Sequence, residues 1–325
     1  MILNIGIIGF GSVGKKRAQN LGKGNLLAIY DKNKSQIEKK YIKFFKPINE
    51  IFNDYRINLV IIATTHNDLT DLTIRAIMAG KHVLVEKPGG INSKEILKIK
   101  HYSLQYRKFV KIGFNHRYHP SIVKAQTICN KGTIGKVLYI RGNYGHGGRL
   151  GYEKEWRFNK KLSGGGELID QGVHLIDLSS LFLGSFYKIQ HNLKNYFWKS
   201  KVEDNCFLIL ENRKQQVAFL QASCTEWKNK FNFEIYGQYG KIEISGLGRS
   251  YGIEKIILYK MKKKMGIPNM KVWIFNEKRD NSWEKEISDF YNLIKNKNFI
   301  NVQKLLKENI ENMKILDKIY NKNSL

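Results

Sequence analysis

Cysteine is scarce. Cys129, Cys206 and Cys224 stand far apart in 325 residues and form no CxxC or Cys/His ligand spacing, so neither a disulfide framework nor a zinc or other metal site is expected. There are only 4 prolines and no low-complexity tract, which excludes disordered and collagen-like chains. No apolar run approaches the ~20 residues of a membrane span, so no membrane partner is expected. The N-terminus has no basic stretch, and its apolar segment is interrupted by Gly6, Gly9 and Gly11, unlike a signal peptide. A reducing cytoplasm is the expected compartment. Acidic residues are few as well: 28 Asp and Glu face 56 Lys and Arg, a formal charge of +28. Such an excess suits a nucleic-acid or anionic-surface partner. Yet only 11 of the cations are Arg and 45 are Lys. Sequence-specific readers of DNA lean on the planar fork of Arg. Here the lysines are scattered, with one short cluster at Lys260, Lys262, Lys263 and Lys264. A solvated cationic surface is the better reading, and no specific nucleic-acid partner is expected.

What is present is a globular composition, 42% hydrophobic, at a length suited to about two domains. The first third alternates strands with helical patterns. Leu3–Ile8, Leu26–Tyr30, Leu59–Ala63, His82–Val85 and Phe109–Phe114 read as strands. Gly11–Leu21, Leu69–Ala79 and Ser93–Tyr106 read as helical. Leu59–Ala63 is aliphatic throughout, as in a parallel strand buried on both faces. This rhythm predicts right-handed βαβ units in a doubly wound sheet. After about residue 120 it changes. A helix over Pro120–Asn130 and a strand over Val137–Tyr144 precede a Gly-rich loop, and a longer helical stretch follows Gly164-Gly165-Gly166. Alternating runs follow at Asp204–Glu211, Gln216–Ser223, Phe231–Tyr236, Lys241–Ser245 and Lys255–Tyr259, then helices at Trp283–Lys295 and Val302–Ile319. Strands in series predict a mostly antiparallel sheet. The expected division is residues 1–118 and 119–325, an α/β domain followed by an α+β domain, with the final helix packing back on the first.

Gly9-Phe10-Gly11-Ser12-Val13-Gly14 is GxGxxG between a strand and a helix. The first Gly permits the tight turn, the second a close approach of backbone to pyrophosphate, and the third close packing of helix on strand. The helix N-terminus offers free N–H groups to phosphates. Asp31 ends the second strand, where its carboxylate can accept from the adenosine ribose hydroxyls. It favours NAD over NADP, because it repels a 2′-phosphate. Lys32 and Lys34 offset that repulsion only in part and read better as solvated surface. Two further segments carry chemistry. Glu86-Lys87-Pro88 follows the fourth strand, at the end of a parallel sheet where ligands bind. A lysine there can stabilise an alkoxide or donate a proton. In Gly164-Gly165-Gly166-Glu167-Leu168-Ile169-Asp170-Gln171-Gly172-Val173-His174, Asp170 and His174 are four apart and share a helix face. A His beside a carboxylate suits acid/base work near neutral pH.

These three segments, in this order and at this spacing, resemble the signatures of the Gfo/Idh/MocA (glucose–fructose oxidoreductase/inositol dehydrogenase) family. Gly113-Phe114-Asn115-His116-Arg117-Tyr118-His119-Pro120 is similar to the family's domain junction. The resemblance implies an N-terminal Rossmann dinucleotide-binding domain and a C-terminal α+β domain. The latter would carry a large, mostly antiparallel, open-faced sheet that builds a homodimer or homotetramer. It implies NAD(P)-dependent oxidation or reduction of a carbinol carbon in a sugar, inositol or nucleotide sugar. Lys87 is then the catalytic lysine, with Lys87–Pro88 a candidate cis bond, and Asp170 and His174 the substrate-side pair. The assigned roles are His174 as base, Asp170 as orienting group and Lys87 as alkoxide stabiliser. Thr64, Thr65 and Glu86 join the cofactor residues, and Asn115 the substrate residues. One departure is Thr64-Thr65-His66, where many relatives carry Thr-Pro.

Tyr144–Arg157 is the specificity candidate. Arg149 and Arg157 can clamp a phosphate or carboxylate, and Tyr152 and Trp156 can stack on a sugar or uracil ring. The alternative is that Trp156 packs in the core and Arg157 pairs with Glu153 or Glu155. His146 has no partner cluster for a metal. The segment resembles family members of surface-polysaccharide metabolism, which suggests a nucleotide-linked sugar. Competing readings are an NAD-dependent glycoside hydrolase on the same fold and a non-enzymatic NAD(H)-binding sensor.

Overall fold

The computed structural model describes residues 3–262, 264 and 266–322, so Lys263 of the lysine cluster lies outside the described residues. The chain forms two compact units, one of residues 1–114 and 283–314, the other of residues 115–282 and 315–325.

Unit one holds β1 (Asn4–Ile8), α1 (Ser12–Gln19), β2 (Asn25–Tyr30), α2 (Ile48–Asn53), β3 (Leu59–Ile62), α3 (His66–Met78), β4 (His82–Glu86), α4 (Ser93–Gln105) and β5 (Val110–Gly113). Its five strands are all parallel, in the order β2-β1-β3-β4-β5. β3 is wholly buried, as its aliphatic run requires. The strand order reverses between β1 and β3, and ligands of such sheets bind outside the carboxyl ends of the strands at that point. The GxGxxG turn leaves β1 there, and Thr64 and Thr65 leave β3.

Unit two holds α5 (Pro120–Asn130), β6 (Val137–Gly145), α6 (Lys160–Ser163), a short π-helical turn at Leu168–Gly172, and α7 (Val173–Leu183). Seven strands follow: β7 (Phe186–Lys194), β8 (Asn205–Asn212), β9 (Val217–Ser223), β10 (Lys230–Gly237), β11 (Gly240–Ser245), β12 (Glu254–Lys260) and β13 (Asn269–Phe275). They form an eight-stranded sheet with β6, ordered β13-β12-β11-β10-β6-β9-β8-β7. It is antiparallel except where β6 runs parallel to β9. One face is covered: Gly142 lies close enough to α7 that an added Cβ would stand 3.2 Å from Leu175. The opposite face leaves Tyr139, Ile209 and Phe219 exposed. α8 (Ser282–Lys295) belongs to unit one from Trp283, and α9 (Phe299–Lys322) belongs to unit one through Lys314 and to unit two from Ile315. Among the described residues, no helix is long and apolar enough to cross a membrane, and no cluster of His, Cys, Asp and Glu could hold a metal ion.

Candidate dinucleotide site and acid/base cluster

In unit one the three motif glycines have three different reasons. Gly9 sits at φ +89, and a Cβ there would come within 2.4 Å of the Ala63 carbonyl oxygen. A Cβ on Gly14 would meet the Gly9 carbonyl oxygen at 2.0 Å. A Cβ on Gly11 would meet nothing within 4 Å. Two glycines are therefore demanded by the protein's own backbone, and the second opens on free space beside the α1 N-terminus. No side chain caps that terminus, so its first N–H groups remain for an anion. Asp31 does double duty. Its Oδ2 accepts the Phe10 N–H at 2.6 Å and its Oδ1 accepts the Asn33 N–H at 2.8 Å. A carboxylate has about four lone-pair sites, so capacity for two ribose hydroxyls remains. Phe10 itself is buried, edge-on to Tyr41. Lys32 pairs with Asp68 at 2.7 Å and Lys34 lies over the Phe45 ring. Thr65 caps α3 by position, and its hydroxyl donates to Asn67 Oδ1 at 2.8 Å. The residues present fit a dinucleotide.

At the end of β4, Glu86 is buried and Lys87 half-buried, and the Lys87–Pro88 peptide is cis. The sequence had given no hint of what holds Glu86. Arg17, one turn into α1, is 1% exposed. Its Nε donates to Glu86 Oε1 at 2.6 Å and its Nη1 to Glu286 Oε2, on α8, at 2.7 Å. The Trp283 ring lies 4.4 Å away. Burial lowers the Arg17 pKa, but the two carboxylates outweigh it and the net shift is upward. Glu286 is pushed up by its complete burial, against the pull of Arg17. This triad ties α1 and α8 to the strand that ends just before Lys87.

In unit two the expected ordinary helix at Asp170–His174 is corrected. Residues 168–172 make a π-helical turn, with its wider i→i+5 loop, before α7 begins at Val173. Asp170 and His174 are both buried, at 6% and 5% exposure. His174 stacks on His116, ring centroids 3.8 Å apart and planes 19° apart. Next to His116 in sequence, Arg117 grips Asp177 of α7 with two nitrogens, at 2.6 and 2.7 Å. Tyr144 meets both imidazoles edge-on, and burial raises its phenol well above the usual range, so it stays protonated.

Asp170 Oδ2 accepts from Arg157 Nε at 3.0 Å. Arg157 also reaches Glu155 at 3.3 Å, and Arg149 reaches the same carboxylate at 2.5 Å. Burial lowers the Arg157 pKa, yet the pull of Asp170 makes the net shift upward. The 144–157 segment thus bonds directly to Asp170 of the candidate pair, which sequence spacing did not suggest. Arg157 also lies over the half-buried Trp156 ring. Tyr152 is 3% exposed, in a cluster with Phe158, Trp198, Val202 and Cys224. Its ring belongs to that core rather than to a surface where a sugar could stack. His146 Nδ1 accepts the Gly148 N–H at 3.0 Å, which leaves the proton of the neutral ring on Nε2, 3.5 Å from the Tyr152 hydroxyl. Burial lowers the His146 pKa and keeps that neutral form. Asn115 is buried and donates to the Ser282 hydroxyl at 2.9 Å.

The glycines before the π-helical turn are clamped. Glu203 Oε1 accepts the N–H groups of Gly166 and Leu168, both at 3.1 Å, and the Tyr320 hydroxyl at 2.8 Å. A Cβ on Gly165 would strike Tyr320 and one on Gly166 would strike Glu203. His116, Glu203 and Tyr320 escaped the sequence reading. His116 had a signal, its place beside Asn115 in the junction segment, whereas the other two had none.

A glycine loop that fits a dinucleotide on a parallel sheet, with a second unit bearing a buried Asp/His cluster, is the arrangement of a dinucleotide-binding oxidoreductase. Residues 3–114 match the oxidoreductase family with an NAD-binding Rossmann fold, and residues 122–243 match the GFO/IDH/MocA C-terminal domain. The chain belongs to the Gfo/Idh/MocA family of oxidoreductases. It is 30% identical to levoglucosan dehydrogenase of Pseudarthrobacter phenanthrenivorans over 149 residues, 45% of this chain and 38% of that one. It is 28% identical to myo-inositol 2-dehydrogenase of Thermotoga maritima over 196 residues, 56% of this chain and 55% of that one. The matched segments thus span about half of these curated relatives or less. Among solved structures, levoglucosan dehydrogenase with NADH superposes with a TM-score of 0.83 at 20% identity over 98% of both chains. A 3-ketoreductase from Actinomadura kijaniata with NADP and TDP-benzene superposes at 0.79, with 16% identity, over 96% of this chain and 95% of that one.

Proposed function

We propose that this chain is an NAD(P)-dependent dehydrogenase or reductase acting on a CH–OH carbon of a sugar, and that the sugar is nucleotide-linked, as in surface-polysaccharide metabolism. The observation that carries the reading is the open cradle at Gly11, framed by an uncapped helix terminus and the Asp31 carboxylate. When bound there, the nicotinamide cofactor supplies or takes the hydride. His174 takes the hydroxyl proton as the carbonyl forms and returns it in the reverse direction. Its stack on His116 fixes the ring plane, and Asp170 orients the imidazole or the substrate. The Lys87 ammonium stabilises the developing alkoxide. Arg157 donates to Asp170 and presents its remaining N–H groups to substrate oxygens. Arg149, Trp156 and the Tyr152 hydroxyl contribute to substrate recognition, and Asn115 supports the same face. The outer face of the large sheet, with Tyr139, Ile209 and Phe219 exposed, suits a homodimer or homotetramer, which light scattering on the purified protein would read directly.

The test is a panel of polyols, sugars and nucleotide sugars assayed with NAD and with NADP. Lys87→Ala and His174→Ala are each expected to lower kcat by 10²-fold or more while leaving NADH affinity within about two-fold. Unaffected turnover in both variants would sink the mechanism. The supporting likeness in substrate class comes from relatives that act on levoglucosan and inositol, and from the ketoreductase with TDP-benzene for a nucleotide-linked substrate.

A further inference from the structure

Three aromatic side chains of unit two stand in water: Tyr196, Phe197 and Trp227 are 66%, 56% and 65% exposed. Scattered exposed aromatics are ordinary. Here Phe197 and Trp227 meet edge to face with centroids 4.8 Å apart, so they form one patch. Trp227 sits at φ +57, a costly conformation for a bulky residue that persists only where the surroundings impose it. The surroundings are visible. The Glu226 N–H donates to the His146 carbonyl at 3.1 Å, and a Cβ on Gly147 would stand 2.9 Å from the Trp227 Cα. Phe197 rests on Trp198, whose indole N–H donates to the Cys224 carbonyl at 2.9 Å. Trp198 in turn packs on Tyr152 and Phe158. The patch is therefore rigid and anchored in the core that carries the specificity segment.

Strand pairing fixes where it lies. β6 and β9 run parallel and end together at Gly145 and Ser223, while Lys194 at the end of β7 pairs with Asn205 at the start of β8. The segment after β6, the β7–β8 loop with Phe197 and Glu203, and the β9–β10 loop with Trp227 all leave one end of the sheet. Glu203 there clamps the turn that bears Asp170. The patch and the Asp170–Arg157 pair thus share one end of unit two.

Charge indicates the occupant. The stretch from Tyr196 to Val202 has Lys199 and Lys201 and no acid, and Lys228 follows Trp227. Lys201 also lines an open groove of about 860 Å³ with Lys154, Lys160 and Lys161, where the acidic and aromatic lining residues are Glu153, Glu155 and Phe158, so lysines outnumber acids four to two. Among the described residues none of these four lysines has an acidic partner, and Glu155 in the groove is already bound by Arg149 and Arg157. An exposed aromatic pair whose Phe197 shares a loop with Lys201, and a groove with more lysines than acids that Lys201 enters, are together complementary to an aromatic base carrying phosphates; Glu226, beside Trp227, is 3.9 Å from Lys230. A neutral pyranose ring would use the face and leave the cations without a counter-charge.

We propose that unit two carries a nucleoside-diphosphate subsite, in which the base stacks on Trp227, steadied by Phe197, and the diphosphate lies along the groove through Lys201. The proposal rests on the nucleotide-linked reading above and names the residues that would select it. The test is titration of UDP and dTDP into protein saturated with NADH, so that the dinucleotide site is filled. Inorganic pyrophosphate and methyl β-glucopyranoside serve as single-feature probes. Base stacking on an aromatic side chain corresponds to roughly 5- to 150-fold in affinity. Trp227→Ala should therefore weaken the better nucleotide by about ten-fold or more and leave pyrophosphate unchanged. Trp227→Tyr should retain most of the affinity. The triple variant Lys160→Gln, Lys161→Gln, Lys201→Gln should weaken both the nucleotide and pyrophosphate. NADH affinity should be constant throughout, which certifies folding. Wild-type nucleotide affinity in Trp227→Ala, no nucleotide binding at all, or a loss confined to methyl β-glucopyranoside would each overturn the proposal. Turnover of simple polyols with no nucleotide binding would sink the subsite and leave the dehydrogenase reading standing. Failure of NADH to bind would sink that reading, while the same variant pattern with UDP alone would still uphold the subsite.

Discussion

Arg17 is the residue whose replacement should be most costly in unit one, and the cost can be reasoned from its surroundings. Its nitrogens lie 2.6 and 2.7 Å from the carboxylates of Glu86 and Glu286, and the three side chains are nearly or wholly excluded from water. At an effective dielectric constant of about 20, each contact is worth about 6 kcal/mol of Coulomb energy before desolvation. Desolvation costs several kcal/mol for each ion, so the intact triad contributes little net stability. Breaking it is a different matter. Arg17→Met leaves two carboxylates buried and facing one another, and the expected loss is at least 3–5 kcal/mol. For a unit of roughly 150 residues that is on the order of 10 °C in Tm. The double variant Arg17→Met, Glu286→Met removes one stranded carboxylate and adds apolar packing beside Trp283, so it should recover a substantial part of the loss. Urea unfolding of the wild type, both variants and Glu286→Met closes a double-mutant cycle. The reasoning fails if Arg17→Met costs under 1 kcal/mol, or if the double variant is no more stable than Arg17→Met alone. The same set should show a functional trace. Glu86 precedes Lys87, so Arg17→Met is expected to lower turnover more than the double variant's remaining instability explains.

Asp31→Ala should weaken NAD by about ten-fold and relax discrimination against NADP, measured as the ratio of dissociation constants; an unchanged ratio would remove Asp31 from cofactor choice. Because Asp31 also receives the Phe10 N–H, the variant should lose about 1–3 kcal/mol of stability in urea unfolding even without cofactor. His82, on β4, gives a pH signature. Burial, then Lys108, lowers its pKa to about 4 from 6.5, and its Nδ1 accepts the Phe109 N–H at 3.2 Å. The unfolded chain therefore binds a proton that the folded one refuses. The contribution is complete above pH 6.5 and is lost as pH falls toward 4, about 3 kcal/mol in all. Thermal unfolding across that window should show the decline, and His82→Gln should flatten it; an identical slope in the variant would refute the assignment.

The interior strands were legible in the sequence because burial writes itself into side-chain pattern. β3 is four aliphatic residues, three of them β-branched, buried on both sides, and the shortness and branching of the run favour a strand over a buried helix. β8, β9, β10 and β11 alternate because one face is covered. β7 and β13 were not picked out as individual strands, and both lie at the edges of the large sheet. In β13 no residue is buried, so its sequence carries no periodic signal of a core. The parallel pairing of β6 with β9 was also invisible, since an alternating strand looks the same whichever way its neighbour runs.

The same distinction separates the legible from the hidden parts of the candidate site. GxGxxG, Glu-Lys-Pro and the Asp170–His174 segment could be found because their chemistry is packed into a few consecutive residues, where spacing constrains geometry. Arg17 follows Lys15 and Lys16 directly on a short helix, so nothing local marks it as the one cation of the three turned inward. Glu203 and Tyr320 are 117 positions apart and meet only because the chain folds back on itself. For Arg157 the sequence offers Glu153 or Glu155 as protein partners; it bonds Glu155 and also Asp170, thirteen residues on, which only tertiary geometry brings within reach. The consequence for the proposed mechanism is chemical. Asp170 is already bound to Arg157, so under that mechanism substrate selection and proton handling are coupled through one guanidinium. A substrate oxygen that engaged Arg157 would share it with Asp170, and Arg157→Ala is then expected to change kcat as well as KM; a change in KM alone would refute the coupling.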